Sequence, residues 1–118
     1  MAKRLGPLQY GIIVLTAITA LMHLFLGIGS LPDTFGYMFI LNSVGYIVLL
    51  VALYFIPSLS EQRTIIRWLL IAYTAVTFIL YFVFNWPDVW NTLGIIDKIV
   101  ELVLIILLLI ESRQSGTA

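Results

Sequence analysis

The chain has 118 residues, 62% of them hydrophobic and 10% charged, with a mean hydropathy of +1.11 and a formal net charge of zero. So few charges cannot cover so much apolar surface in water, which excludes an ordinary soluble domain, and the neutral balance offers nothing to nucleic acid. The absence of cysteine excludes disulfides, thiolate metal sites and cysteine nucleophiles.

The first element follows Met1-Ala2-Lys3-Arg4. That start is like a signal peptide, but the apolar run behind it is too long for a signal core and reads as a retained membrane span. Asp, Glu, Lys and Arg are absent from Leu5 to Pro32, from Thr34 to Ser60 and from Trp68 to Pro87. Each stretch exceeds the roughly 20 residues that a helix needs to cross the hydrocarbon. Pro7 suits a first helical turn, Gly27, Gly29 and Pro32 close the first helix, and Pro57 and Pro87 end the second and third. A fourth apolar stretch, Leu93 to Ile110, is interrupted by Asp97, Lys98 and Glu101. The expected fold is all-α, a four-transmembrane-helix up-down bundle in one domain over residues 1–118, with helices at about 7–29, 35–56, 64–86 and 92–112. Short connections favour a cyclic arrangement with the first and fourth helices adjacent.

Basic residues set the expected orientation. Lys3 and Arg4 precede helix one, Arg63 and Arg67 flank the second connection, and Arg113 follows helix four; the first and third connections carry only Asp33 and Asp88. The positive-inside rule then puts both termini in the cytoplasm, as in a multi-pass protein of the inner (plasma) membrane. Trp86 and Trp90 suit an outer interfacial belt, and Trp68 an inner one.

The polar residues inside the spans carry the functional question, because ionisable groups in hydrocarbon are costly. With Glu111 as the inner boundary, Glu101 lies about 15 Å in, and Asp97 and Lys98 about 20 Å in. Measured from their own inner ends, Asn42 lies about 21 Å in, Tyr81 about 20 Å and His23 about 24 Å. All four helices thus offer a polar group to one layer: His23, Asn42, Tyr81, Asp97, Lys98 and Glu101. Helical spacing puts Thr16, Thr19, His23 and Gly27 on one side of helix one, and Thr74, Thr77 and Tyr81 on one side of helix three. Asn42 and Gly45 share a side of helix two, and Lys98 reaches Glu101 at i,i+3. These stripes are expected to face inward.

Two readings of the layer stand side by side. In the first, Lys98 neutralises a carboxylate and the other groups complete a structural network that holds the bundle in register. In the second, His23 and Glu101 form a proton or quinone-headgroup site. A cavity reaching them from the lipid or the outer face would favour the second. No catalytic residue set is visible: there is no Ser-His-Asp arrangement, metal-ligand cluster or phosphate loop, and the absence of histidine on helix four, with Lys98 adjacent, disfavours a di-metal site at Asp97 and Glu101. A single histidine rules out bis-histidine haem, and a His23/Met38 pair is a weak substitute. No intrinsic cofactor is expected; quinone contact is the one open alternative. The expected partners are membrane lipid and larger integral subunits.

Small multidrug-resistance transporters share the size, but carry an essential glutamate in the first helix, where this chain has no acid. A different group matches better. Pro7-Leu8-Gln9-Tyr10, His23-Leu24 with Gly27, Tyr73-Thr74-Ala75-Val76, and Leu93-Gly94 leading into Asp97-Lys98 resemble an uncharacterised family of small four-helix membrane proteins of halophilic archaea and filamentous green bacteria. The resemblance runs from Gly6 to Arg113, although the more hydrophilic loops of the archaeal members are missing. It implies a fold and a topology and no mechanism of its own. It further implies an accessory subunit of a quinol-oxidising electron-transfer complex such as alternative complex III, stabilising larger subunits. The alternative is a standalone proton-linked transporter or a quinone-binding membrane protein.

Overall fold

The protein is described by a computed structural model covering residues 5–116. Lys3 and Arg4 lie outside the described residues. Four helices follow in order: α1 (Pro7–Ser30), α2 (Thr34–Tyr54), α3 (Arg63–Asn85) and α4 (Thr92–Gly116), with a 3-10 helix at Pro57–Gln62 between α2 and α3. The three apolar stretches become helices long and apolar enough to cross a membrane. Helix starts agree with the sequence expectation to within one residue, while α4 runs past the expected end at 112 to Gly116.

Local chemistry accounts for the ends. Pro7 opens α1, and the Gln9 side chain accepts from the Gly6 amide at 2.9 Å. The Asp33 carboxylate caps α2 by accepting from the Phe35 amide at 3.2 Å. The Asn91 side chain caps α4 by accepting from the Gly94 amide at 2.7 Å. The Leu31–Pro32 and Trp86–Pro87 peptide bonds are cis.

The helices form a ring: α1 packs on α2 and α4, and α3 packs on α2 and α4, with no diagonal pair in contact among the described residues. Short connections leave each helix beside its sequence neighbour, and α4 then closes against α1. The α1–α2 pair approaches closely through two glycines. A Cβ on Gly27 would meet the Gly36 carbonyl oxygen at 2.8 Å and Ile40 Cγ1 at 2.7 Å, so nothing larger than glycine fits without movement.

Along the 45 Å long axis, polarity is layered. Ile12, Ala20, Tyr46, Leu53, Ile66, Leu70, Ile71, Leu104 and Leu108 form a central core. Polar clusters lie on either side of it, described below. Outside, the bundle is apolar: Phe25 is 76% exposed and Leu41 69%. Thr16 and Thr74 turn their hydroxyls back on their own helices, donating to the Ile12 and Leu70 carbonyls at 2.7 and 2.8 Å. Their polarity is thereby satisfied inside the bundle.

Two readings of the basic and acidic residues change. Arg67 does not flank a connection in solvent: it is 2% exposed and turned into the bundle. Glu111 does not mark a boundary: it is 1% exposed and lies within α4. The two pair with each other, and burial of a charge requires a partner of this kind.

Candidate functional site

Four of the six residues expected in the polar layer meet. His23 comes from α1, and Asp97, Lys98 and Glu101 come from α4. All four are buried, Glu101 completely at 0% exposure. Their one-turn spacing on α4 directs Asp97 and Glu101 to one face, and the α1 stripe at 16, 19, 23 and 27 meets that face.

The bonding is directional. Lys98 Nζ donates to Glu101 Oε1 and lies 3.5 Å from Asp97 Oδ2. It also stands 5.0 Å from the Tyr81 ring centre and 5.8 Å from that of Phe78, so α3 cradles the ammonium through aromatic faces. On the opposite side, the Thr19 hydroxyl bridges the carboxylates, 2.7 Å from Asp97 Oδ1 and 3.1 Å from Glu101 Oε2. His23 Nδ1 donates to the Thr19 carbonyl at 2.8 Å. Its Nε2 faces Asp97 Oδ2 at 3.7 Å and Glu101 Oε2 at 3.9 Å. The Tyr46 hydroxyl, from α2, is 3.5 Å from Glu101 Oε2.

The remaining two expected residues take other roles. Tyr81 reaches the cluster with its ring; its hydroxyl donates to the Val89 carbonyl at 2.8 Å and accepts from Asn91 at 3.0 Å, which pins the α3–α4 connection. Asn42 belongs to the α2–α3 seam. Its Nδ2 donates to the Thr77 hydroxyl at 2.9 Å, and its backbone carbonyl accepts from the Tyr73 hydroxyl at 2.8 Å. Its Oδ1 is buried and has no hydrogen-bond partner among the described residues. From α2 it is Tyr46 that reaches the charged layer; it lies one turn beyond Asn42 on the same face, a spacing that the sequence carries.

A second cluster, absent from the sequence reading, lies nearer the other end. Glu111 Oε1 accepts from Arg67 Nε at 2.7 Å. Its Oε2 accepts from the Tyr54 hydroxyl at 2.7 Å and from Gln9 Nε2 at 2.8 Å. One carboxylate therefore ties together the first turns of α1 and α3, the last residue of α2 and the last turns of α4. The signal was present as one long polar side chain at the same end of every helix.

Two shallow grooves open on the sides of the bundle. One, of about 430 Å³ between α2 and α3, includes Asn42, Tyr73 and Thr77 in its lining; the other, of about 360 Å³ on the α3–α4 side, includes Trp68, Ile106 and Arg113. Neither includes His23, Asp97, Lys98 or Glu101. The histidine that α4 lacks is supplied by α1, so His23, Asp97 and Glu101 each bring a ligand-type atom within 4.8 Å of the others. Comparisons with protein-family models, curated proteins and solved structures returned no match.

Proposed function

We propose that this chain is an accessory subunit embedded in the inner (plasma) membrane, whose apolar faces pack on larger integral subunits. The observation that carries the reading is the inside-out arrangement of the bundle. Its intramembrane charges are turned inward against one another, and its outer faces present mostly apolar side chains sideways. A charged network held inside the bundle is suited to holding four helices in register, and the apolar exterior is suited to lipid or to neighbouring helices.

In this reading α4 also crosses the membrane. Its 25 residues extend about 37 Å, longer than the ~30 Å hydrocarbon core. Asp97, Lys98 and Glu101 face inward, while Ile96, Ile99, Leu102, Val103 and Ile106 face out. Both termini lie in the cytoplasm, an orientation supported by Lys3, Arg4, Arg63 and Arg113. Arg67, paired with Glu111, contributes nothing to it. The host implied by the family resemblance is a quinol-oxidising electron-transfer complex.

Gentle-detergent isolation of the tagged chain from its native membrane, with mass spectrometry and visible spectra of the eluate, tests this. Stoichiometric recovery with larger integral subunits is expected. Recovery as a monodisperse chain without partners overturns the reading. Single cysteines introduced at Ser60 and Asn91, in a chain with no native cysteine, test the orientation. An impermeant maleimide added to intact cells is expected to label Asn91→Cys and spare Ser60→Cys.

A second reading is favoured by the bridging of α1 and α4 at His23, Asp97 and Glu101: proton-linked transport through a moving pair of helices. It requires flux by the purified chain in vesicles, driven by a pH gradient and abolished by Glu101→Gln at unchanged expression. If Glu101→Gln lowers assembly and no flux is found, the structural role stands.

A further inference from the structure

The charge balance of the cluster at His23, Asp97, Lys98 and Glu101, here the upper cluster, is incomplete. Asp97 and Glu101 bring two carboxylates, and Lys98 one ammonium. The ammonium lies on the α3 side, held by Glu101 Oε1 and by the Tyr81 and Phe78 rings. On the α1 side the carboxylates face an imidazole. Because His23 Nδ1 donates to the Thr19 carbonyl at 2.8 Å, the neutral tautomer turns the Nε2 lone pair towards Asp97 Oδ2 and Glu101 Oε2. Three acceptor atoms then converge in a buried place, with Nε2 3.7 Å from Asp97 Oδ2 and 3.9 Å from Glu101 Oε2, an oxygen that also accepts from the Thr19 hydroxyl at 3.1 Å; His23 is 6% exposed. Converging acceptors with a charge deficit repel one another unless a proton or a metal cation joins them.

The geometry points to a three-ligand site for a divalent transition metal of the zinc class, formed by His23 Nε2, Asp97 Oδ2 and Glu101 Oε2. A tetrahedral ion with bonds of about 2.0–2.2 Å sets its ligand atoms about 3.3–3.6 Å apart. The two histidine–carboxylate distances, 3.7 and 3.9 Å, lie within a few tenths of an ångström of that spacing. The hydrogen bond from Nδ1 to a backbone carbonyl is the outer contact that fixes a metal-binding histidine in its tautomer. Imidazole with carboxylate selects a zinc-like ion over magnesium or calcium, which take oxygen ligands.

Lys98 takes Oε1 of Glu101 and leaves Oε2 turned to the histidine, while its Nζ stands 3.5 Å from Asp97 Oδ2, the one proposed ligand atom that it shares. A zinc ion with hydroxide as its fourth ligand would supply the single positive charge that is short. The site also lies close to one end of the bundle. Asp97 is about 7.5 Å along α4 from Thr92, and His23 about 10 Å along α1 from Ser30. An ion therefore has two helical turns or fewer to travel. It would staple α1 to α4, the two helices that close the ring.

The test uses the full chain in detergent, tag removed, stripped with chelator and titrated with Co²⁺. Saturable uptake of one ion per chain is expected, with the intense visible bands of four-coordinate cobalt, which Zn²⁺ abolishes. His23→Gln and Asp97→Asn are each expected to weaken uptake at least tenfold. Lys98→Met, which removes the neighbouring positive charge, is expected to tighten it. His23→Gln leaves the Lys98–Glu101 pair intact, so its helicity serves as the folding control. If either variant fails to fold, X-ray absorption of the cobalt-loaded native chain decides, since the chain has one histidine. One imidazole with oxygen donors supports the site, and an all-oxygen shell overturns it. Absence of saturable uptake by the folded native chain, unchanged affinity in folded His23→Gln, or an imidazole protonated on both nitrogens in metal-treated protein also overturns the proposal.

Discussion

The two polar clusters solve the same problem differently. At Glu111, one carboxylate meets one guanidinium, and Tyr54 and Gln9 saturate the oxygen that Arg67 leaves over. Charges cancel within the cluster and all four helices contribute. At Glu101, two carboxylates share one ammonium, and the α1 side ends in a histidine whose Nε2 stands 3.7 and 3.9 Å from the two carboxylates. The lower cluster has the closed geometry of a fastening. The upper one has the looser geometry of groups that can accept something more. Both are about 15 Å apart along α1, from Gln9 to Thr19, and along α4, from Glu111 to Glu101. An apolar core separates them.

Breaking the lower cluster has the largest expected effect. Glu111→Ala leaves the Arg67 guanidinium buried without a counter-charge and strips Tyr54 and Gln9 of their acceptor. A loss of about 3–5 kcal/mol is expected, read as a lowered unfolding midpoint in mild detergent titrated with a denaturing one. The double variant Arg67→Met/Glu111→Leu removes both charges, and its loss is expected to be smaller than that of Glu111→Ala alone. A double variant as unstable as the single one would mean that packing, not charge, dominates there.

Next in size is the glycine contact between α1 and α2. Gly27→Leu drives a side chain into the Gly36 carbonyl and Ile40, with an expected cost of about 1–3 kcal/mol by the same unfolding measurement. It should disturb the cluster at His23 more than that at Glu111, because Gly27 lies about 6 Å along α1 from His23 and about 27 Å from Gln9. The smallest effect is expected at the loose side of the upper cluster. His23→Gln leaves Lys98 on its carboxylates, and a change of about 1 kcal/mol or less is expected in the metal-free chain. A loss as large as that of Glu111→Ala would show that the histidine is as tightly fastened as the arginine, and the contrast between the clusters would fail.

The individual residues show where sequence reasoning reached and where it stopped. The start of α1 came from Pro7, and the ends of the first three helices from glycine and proline, which act on their own few residues. The inward faces of α1 and α3 came from helical spacing, and Thr16, Thr19, His23, Thr74 and Thr77 are buried accordingly. The polar layer at His23, Asp97, Lys98 and Glu101 came from depth along each helix, a quantity that follows from rise per residue. Asn42 and Tyr81 show the weakness of depth alone. Both lie at the right height, yet Asn42 faces the α2–α3 seam and Tyr81 sends its hydroxyl to Val89. Arg67 and Glu111 show the bias of counting charges near helix ends: each was read as a boundary marker, and each is buried against the other.

Sequence by itself determined that this chain forms four helices, that three of them are apolar enough for a membrane, and which side of each helix carries the costly polar groups. Those properties depend on composition, spacing and local capping, and need no knowledge of neighbours. Short connections favoured closure of α1 on α4, but only the tertiary structure decided which polar groups meet: that Glu111 takes Arg67, and that His23 turns its Nε2 to two carboxylates. The reason is that rotation of each helix about its axis, and the partner it meets there, arise from packing all four together. A rotation of about 100° separates adjacent residues on a helix, enough to turn a side chain from the bundle interior to the lipid.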